Sequence, residues 1–229
     1  MTVQDIIDDA KYGELQQLAV INKLSNADPL IVKEAEQHIL SYINLGLVEL
    51  YKRFDLRSEE VIITLSTDQT VYELDPTNVY HAVNNPTGYL NTMFGDVINI
   101  SAAYNELGDE YPLNDELNPL SVMTPTYNTI QVTNPVQGEQ LYIIYNSAPD
   151  RIQWTEDLSA VNIPLSASMT EALLHYVGYR GHGSIDGSIQ AENNTHYNRF
   201  DKSCAKLHAL GLITADRYIG GTLQEKGFV

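Results

Sequence analysis

Between residues 58 and 165 the chain carries fifteen acidic side chains and a single basic one, Arg151. The flanks are different: residues 1–57 hold nine acids and six bases, and residues 166–229 hold six of each. Most of the net charge of −17 therefore sits in the middle of the chain. A break this sharp points to an inserted module between two flanking segments that belong together. The hydrophobic period breaks at the same places.

In the first flank, Asp28-Pro29 places an N-cap residue before a proline at the first helical position. Val32, Ala35, Ile39, Tyr42, Ile43, Leu47, Leu50 and Phe54 follow at three- and four-residue steps. That spacing predicts one long amphipathic helix, with Glu34 and Glu36 near its start and Lys52 and Arg53 near its end, as the helix dipole favours. Residues 2–24 repeat Ile6, Ile7, Ala10, Leu15, Leu18 and Ile21 around Gly13, which fits one kinked helix or two short ones.

The middle changes to β-branched and aromatic runs. Val61 to Leu65 and Val71 to Leu74, separated by a polar turn, read as a hairpin, and further strands are expected at 97–103, 129–132 and 140–145. Asn85-Pro86, Asn118-Pro119 and Asn134-Pro135 punctuate the segment and exclude long helices there. Pro164 closes the β region. Ser168 to Glu171 fits the capping-box pattern and opens a helix containing Leu173, Leu174, Tyr176 and Val177. A loop is expected over Gly181 to Gly187, and a second helix over about 189–210, with Tyr197, Phe200, Cys204 and Leu207 in step, ending at Gly211.

The expected fold is α+β. An antiparallel helical bundle built from residues 1–57 and 166–211 is interrupted by a small antiparallel sandwich or barrel-like acidic insert at 58–165, and an extended C-terminal arm follows at 212–229. The length of 229 residues, with 43% hydrophobic and 19% charged, lies in the globular range. The anionic balance argues against general binding to nucleic acid or to anionic lipid. Apolar runs fall short of a membrane span, the first nine residues are acidic where a signal peptide is basic and then apolar, and a lone Cys204 permits no intrachain disulfide. A reducing compartment is the expectation.

Candidate chemistry is sparse. His175, His182, His196 and His208 crowd the last third without a zinc-binding spacing and read as core or surface histidines. Cys204 and His208 stand four apart, so a thiolate–imidazole pair is sterically open, but Cys204 falls on the apolar stripe and no third group orients the pair. Ser184 lacks the spacing of a nucleophile elbow. The carboxylates from Glu106 to Glu116 miss the calcium-loop register and read as a solvated loop. Gly181-His182-Gly183 follows a helix and lacks the lysine of a phosphate loop. No catalytic, cofactor or metal residue is expected.

Several stretches carry a resemblance. These are residues 35–54, running through Tyr42-Ile43-Asn44-Leu45-Gly46 to Phe54, then Val71-Tyr72-Glu73-Leu74, residues 141–149 and Ile163-Pro164-Leu165. Residues 171–184, with His175-Tyr176-Val177-Gly178-Tyr179-Arg180, and Asn198 to Cys204 extend it. Together they resemble the head-to-tail adaptor (connector) proteins of tailed bacteriophages. The resemblance covers about half the chain and leaves residues 76–139 unmatched. It implies a structural virion protein of the neck, made in the host cytoplasm and assembled as a homo-oligomeric, dodecameric ring. Its implied partners are the portal protein on one side and a tail nozzle or tail tube protein on the other, with DNA passing through the lumen without specific contact.

The resemblance also makes residues 212–229 the arm that lies along the portal. Its apolar Ile213, Tyr218, Leu223, Phe228 and Val229 are the expected portal-binding residues, since such side chains are better buried against a partner than left in water. Fully extended, the arm would reach about 60 Å. An alternative is a tail or baseplate accessory protein whose insert binds carbohydrate or another tail protein through Tyr72, Tyr80, Tyr89, Tyr104, Tyr111, Tyr127, Tyr142 and Tyr145. A third class is a cytosolic hydrolase using Cys204 and His208.

Overall fold

A computed structural model describes residues 1–16, 29–74, 95–186 and 195–211. The chain divides into two compact units, one drawn from Met1–Phe54 with Asp150–Val229 and the other from Asp55–Pro149. The fold is α+β, with helices in the first unit and antiparallel sheets in the second. The expected arm at 212–229 lies outside the described residues, with Ile213, Tyr218, Leu223, Phe228 and Val229.

The helical unit starts with α1 (Val3–Tyr12). Thr2 and Asp5 form a reciprocal capping box, Asp5 N–H donating to Thr2 Oγ1 and Thr2 N–H to Asp5 Oδ2, and Val3, Ile6, Ile7 and Ala10 are buried. The helix stops at Gly13, where the apolar repeat is interrupted; residues 17–28 lie outside the described residues. The long helix expected after Asp28 is α2 (Pro29–Phe54), which buries Ile39, Leu40, Ile43, Leu47, Leu50 and Phe54. Two further helices follow the β unit in the chain: α3 (Thr170–Asp186) and α4 (Thr195–Ala209).

Two expectations fail here for clear physical reasons. Residues 181–186 were expected to be a loop, yet they continue α3. Gly181 serves a close approach rather than a turn, because a Cβ there would lie 2.5 Å from Leu15 Cδ2. Residues 150–165, grouped with the acidic insert by composition, pack with the helices. Asn44 on α2 clamps Ile152 by donating to its carbonyl (3.0 Å) and accepting from its N–H (2.9 Å), and Tyr51 donates to the Pro164 carbonyl. Val3 N–H donates to Val161 O, and Ile163 N–H to Met1 O, so this return segment also holds the N-terminus.

The β unit has a four-stranded sheet in the order β1 (Ser58–Thr64), β7 (Gln140–Ser147), β3 (Val97–Tyr104), β4 (Glu110–Tyr111). A three-stranded sheet has the order β2 (Val71–Glu73), β6 (Thr129–Val132), β5 (Val122–Thr126). Side chains of both sheets share one core, including Val61, Ile63, Tyr72, Ile130, Ile143 and Tyr145, which makes a sandwich. The sheets do not close into a barrel.

The hairpin expected from Val61 to Leu74 does not form: β1 pairs with β7, and β2 with β6. The intervening turn is a crossing between sheets. Its inside is filled by the buried Tyr72, whose hydroxyl donates to Gln69 O (2.7 Å) and accepts from Ser66 N–H (2.8 Å), while Leu65 N–H is taken by Glu139 O on the other sheet's connection to β7.

Candidate functional site

In the helical unit, three side-chain hubs join elements far apart in the chain. On α2, Arg53 Nη1 donates to Asp201 Oδ1 (2.6 Å), Nε to Glu49 (3.2 Å) and Nη2 to the Tyr197 hydroxyl (3.2 Å), with its guanidinium over the Phe200 ring at 4.5 Å. Burial works against the Arg53 charge, but the bonds from Asp201 and Glu49 outweigh it and raise its pKa. Phe200 is fully buried and meets Tyr176 edge-on at 5.2 Å. This hub fixes α4 on α2. At the other end of α2, Lys11 on α1 pairs with Glu36 at 2.7 Å.

The third hub is Glu14, just past the end of α1. His175 Nδ1 of α3 donates to its Oε1 (3.1 Å), His196 Nδ1 of α4 lies 2.7 Å from Oε2, and His182 Nε2 of α3 donates to its backbone carbonyl (2.9 Å). The His182 and His196 rings stack with centroids 4.6 Å apart. Gly178 makes room, since a Cβ there would stand 2.8 Å from His196 Nδ1. Beside the cluster lies a cavity of about 310 Å³ lined by Gly13, Glu14, Gln16, His182, His196 and Arg199.

Three of the four histidines that the sequence scatters over the last third thus converge on one residue, His175 and His196 on the Glu14 carboxylate and His182 on its backbone carbonyl. Neither Glu14 nor Arg53 stood out by motif, because each meets its partners only after the two chain ends close. The cluster still offers little chemistry. Burial lowers the pKa of His196, against the opposing pull of Glu14, which keeps the ring neutral near neutral pH. Among the described residues, no group of three or more His, Cys, Asp or Glu side chains is arranged to hold a metal ion. Its geometry suits a clasp that sets the position of α4.

The other candidates sort by burial. Cys204 lies in the core beside Phe200 and Leu207, and burial pushes its thiol up to about 11, so it is not a poised nucleophile. Among the insert tyrosines, Tyr72 and Tyr145 are buried and Tyr104, Tyr111 and Tyr142 half-buried, while Tyr127 is exposed. Tyr80 and Tyr89 lie outside the described residues. Tyr72 and Tyr145 belong to the sandwich core and Tyr111 packs against it. The acidic run from Glu106 to Glu116 forms tight exposed turns, with Asn105 Oδ1 accepting from Leu107 and Asp109 N–H and Asp115 Oδ1 from Leu117 N–H. At the end of α4, Gly211 takes a left-handed φ of +61°, and its N–H donates to His208 O, which is the stop expected there.

The family model of the SU10 adaptor protein matches residues 10–222, from the last turn of α1 through the described strands and beyond α4. The chain belongs to the SU10 adaptor protein family. It is a phage adaptor protein, and the resemblance to head-to-tail adaptors holds across nearly the whole chain, including residues 76–139. No curated protein matches the adaptor's sequence. Among its described residues, no helix is long and apolar enough to cross a membrane.

Proposed function

We propose that the adaptor acts by assembly in the virion neck, as a dodecameric ring between the portal protein and a tail nozzle or tail tube protein, with residues 212–229 docking on the portal. The observation that carries this reading is the family match, which covers residues 10–222 and so takes in the first part of the arm, with Ile213 and Tyr218. Three further features support it. The helical unit has a buried apolar core and is closed by side-chain hubs between distant elements, so it can serve as a rigid ring body. Helix α4 is closed at Gly211 by a left-handed φ and a backbone bond to His208 O. The arm then carries Ile213, Tyr218, Leu223, Phe228 and Val229 on a segment whose sequence lacks a helical period.

On this reading the arm orders on contact, and the near-neutral helical stretches pack between copies without strong mutual repulsion. The test is capture of portal protein by the full chain and by a chain ending at Gly211, with mass determined by light scattering. The full chain forms a multi-copy complex on the portal, and the truncated chain binds far more weakly. Equal capture by both would remove the arm from the account.

A further inference from the structure

The β unit carries an apolar socket at one end of its sandwich. The connections 66–70, 105–109 and 133–139 meet at this end, tied by Gly138 N–H to Leu65 O, Leu65 N–H to Glu139 O and Gln140 N–H to Glu106 Oε1. Beside them a cavity of about 260 Å³ has buried Leu65, Val122 and Leu141 among its lining and exposed Leu120 and Val136 at its rim. That volume suits one or two aliphatic side chains. Leu120 is 67% and Val136 60% exposed, and Leu107 and Leu117 on the adjoining turns are 87% and 95% exposed. Isolated surface leucines are ordinary, but two large apolar side chains left exposed at the rim of an apolar hollow are the usual mark of an occupied surface.

The charge around the socket says what occupies it. Glu106, Asp109, Glu110, Asp115 and Glu116 stand exposed on the same turns, and Glu139 lines the cavity, accepting from the Tyr111 hydroxyl at 2.7 Å. From residue 58 to residue 150 the chain has no lysine or arginine, and the unit's single base, Arg57, pairs with Glu59 on β1, so the unit's own sequence offers little to answer these carboxylates. An acidic or strongly electronegative partner would be repelled, and a neutral one would bring apolar contact only. We infer that this end of the β unit docks a basic, apolar protein segment, one that seats an aliphatic side chain in the socket and sets lysine or arginine against the acidic rim.

The inference rests on the β unit alone and stands apart from the portal-docking arm. A random peptide library displayed on yeast, sorted against the fluorescently labelled full chain, tests it directly. Enriched peptides should combine Lys or Arg with Leu, Ile or Val. A synthetic copy of the best peptide should bind at least tenfold more weakly to Leu120→Ser/Val136→Ser, and should weaken several-fold from low to physiological salt. Tyr127→Ser, at the opposite end of β5 and β6, should bind as the parent does. Both variants alter exposed side chains, and unchanged thermal unfolding checks that they fold. In methyl-resolved NMR of the full chain, the peptide should shift Leu65, Val122 and Leu141. Neutral or acidic enriched peptides, failure to enrich any, unaltered binding by the Leu120→Ser/Val136→Ser chain, or methyl shifts confined to the helical unit would each overturn it.

Discussion

The two units hold together by different means, and the difference follows from where their charges lie. The helical unit, assembled from both ends of the chain, has seventeen acids and twelve bases; the β unit, cut from one continuous stretch, has thirteen acids and one base, Arg57. With cations available, the helical unit ties distant elements through Lys11 to Glu36 and Arg53 to Asp201, and the Glu14 clasp adds hydrogen bonds with histidines. With one cation, spent on Glu59, the β unit relies on backbone ladders and an apolar core. A composition break is thus also a break in the kind of cohesion, and variants can probe each kind separately.

The largest effect is expected in the helical core. Phe200→Ala should remove about 3–5 kcal/mol, because the ring is fully buried among aromatic neighbours and under Arg53. Urea titration followed by helical ellipticity measures it. In the β unit, Tyr72→Phe should cost about 1–3 kcal/mol, since Gln69 O loses its donor and Ser66 N–H its acceptor inside the turn. A loss near zero would mean that the crossing between sheets does not depend on that hydroxyl.

Electrostatic effects should be smaller and confined to the helices. Arg53 and Asp201 are partly exposed, so a double-mutant cycle with Arg53→Met and Asp201→Asn should give a coupling of about 0.5–1 kcal/mol that shrinks in salt. The smallest expected effect is on pH. Burial holds His196 below its ordinary 6.5 in the folded chain, so the unfolded chain takes up protons first as the solution is acidified. The stability from the neutral ring is present above about pH 6.5 and is lost as pH falls through the lower folded value; His196→Gln should flatten that slope in thermal unfolding between pH 7 and pH 5.

What was legible in the sequence was whatever is encoded locally. Pro29 and the apolar repeat to Phe54 announce α2, β-branched runs announce β1, β3, β6 and β7, and Gly211 announces the end of α4. What escaped depends on contacts between distant residues. Gly181 looks like a loop residue until Leu15 is seen against it, and Val61 to Leu74 looks like a hairpin until Glu139 and Tyr72 are seen redirecting the turn. The histidines looked scattered because their common partner, Glu14, lies more than 160 residues away. The socket was hidden for the same reason: Leu65, Leu120, Val136 and Leu141 share no local pattern.

Native-state hydrogen exchange on the parent chain and on Phe200→Ala tests most directly whether the chain ends form one scaffold with a core of their own. The amides of α1, α2, α3 and α4 should lose protection together in the variant, although Phe200 belongs only to α4, while those of β1, β3 and β7 keep the parent's protection. Loss confined to α4, or equal loss in the strands, would contradict it.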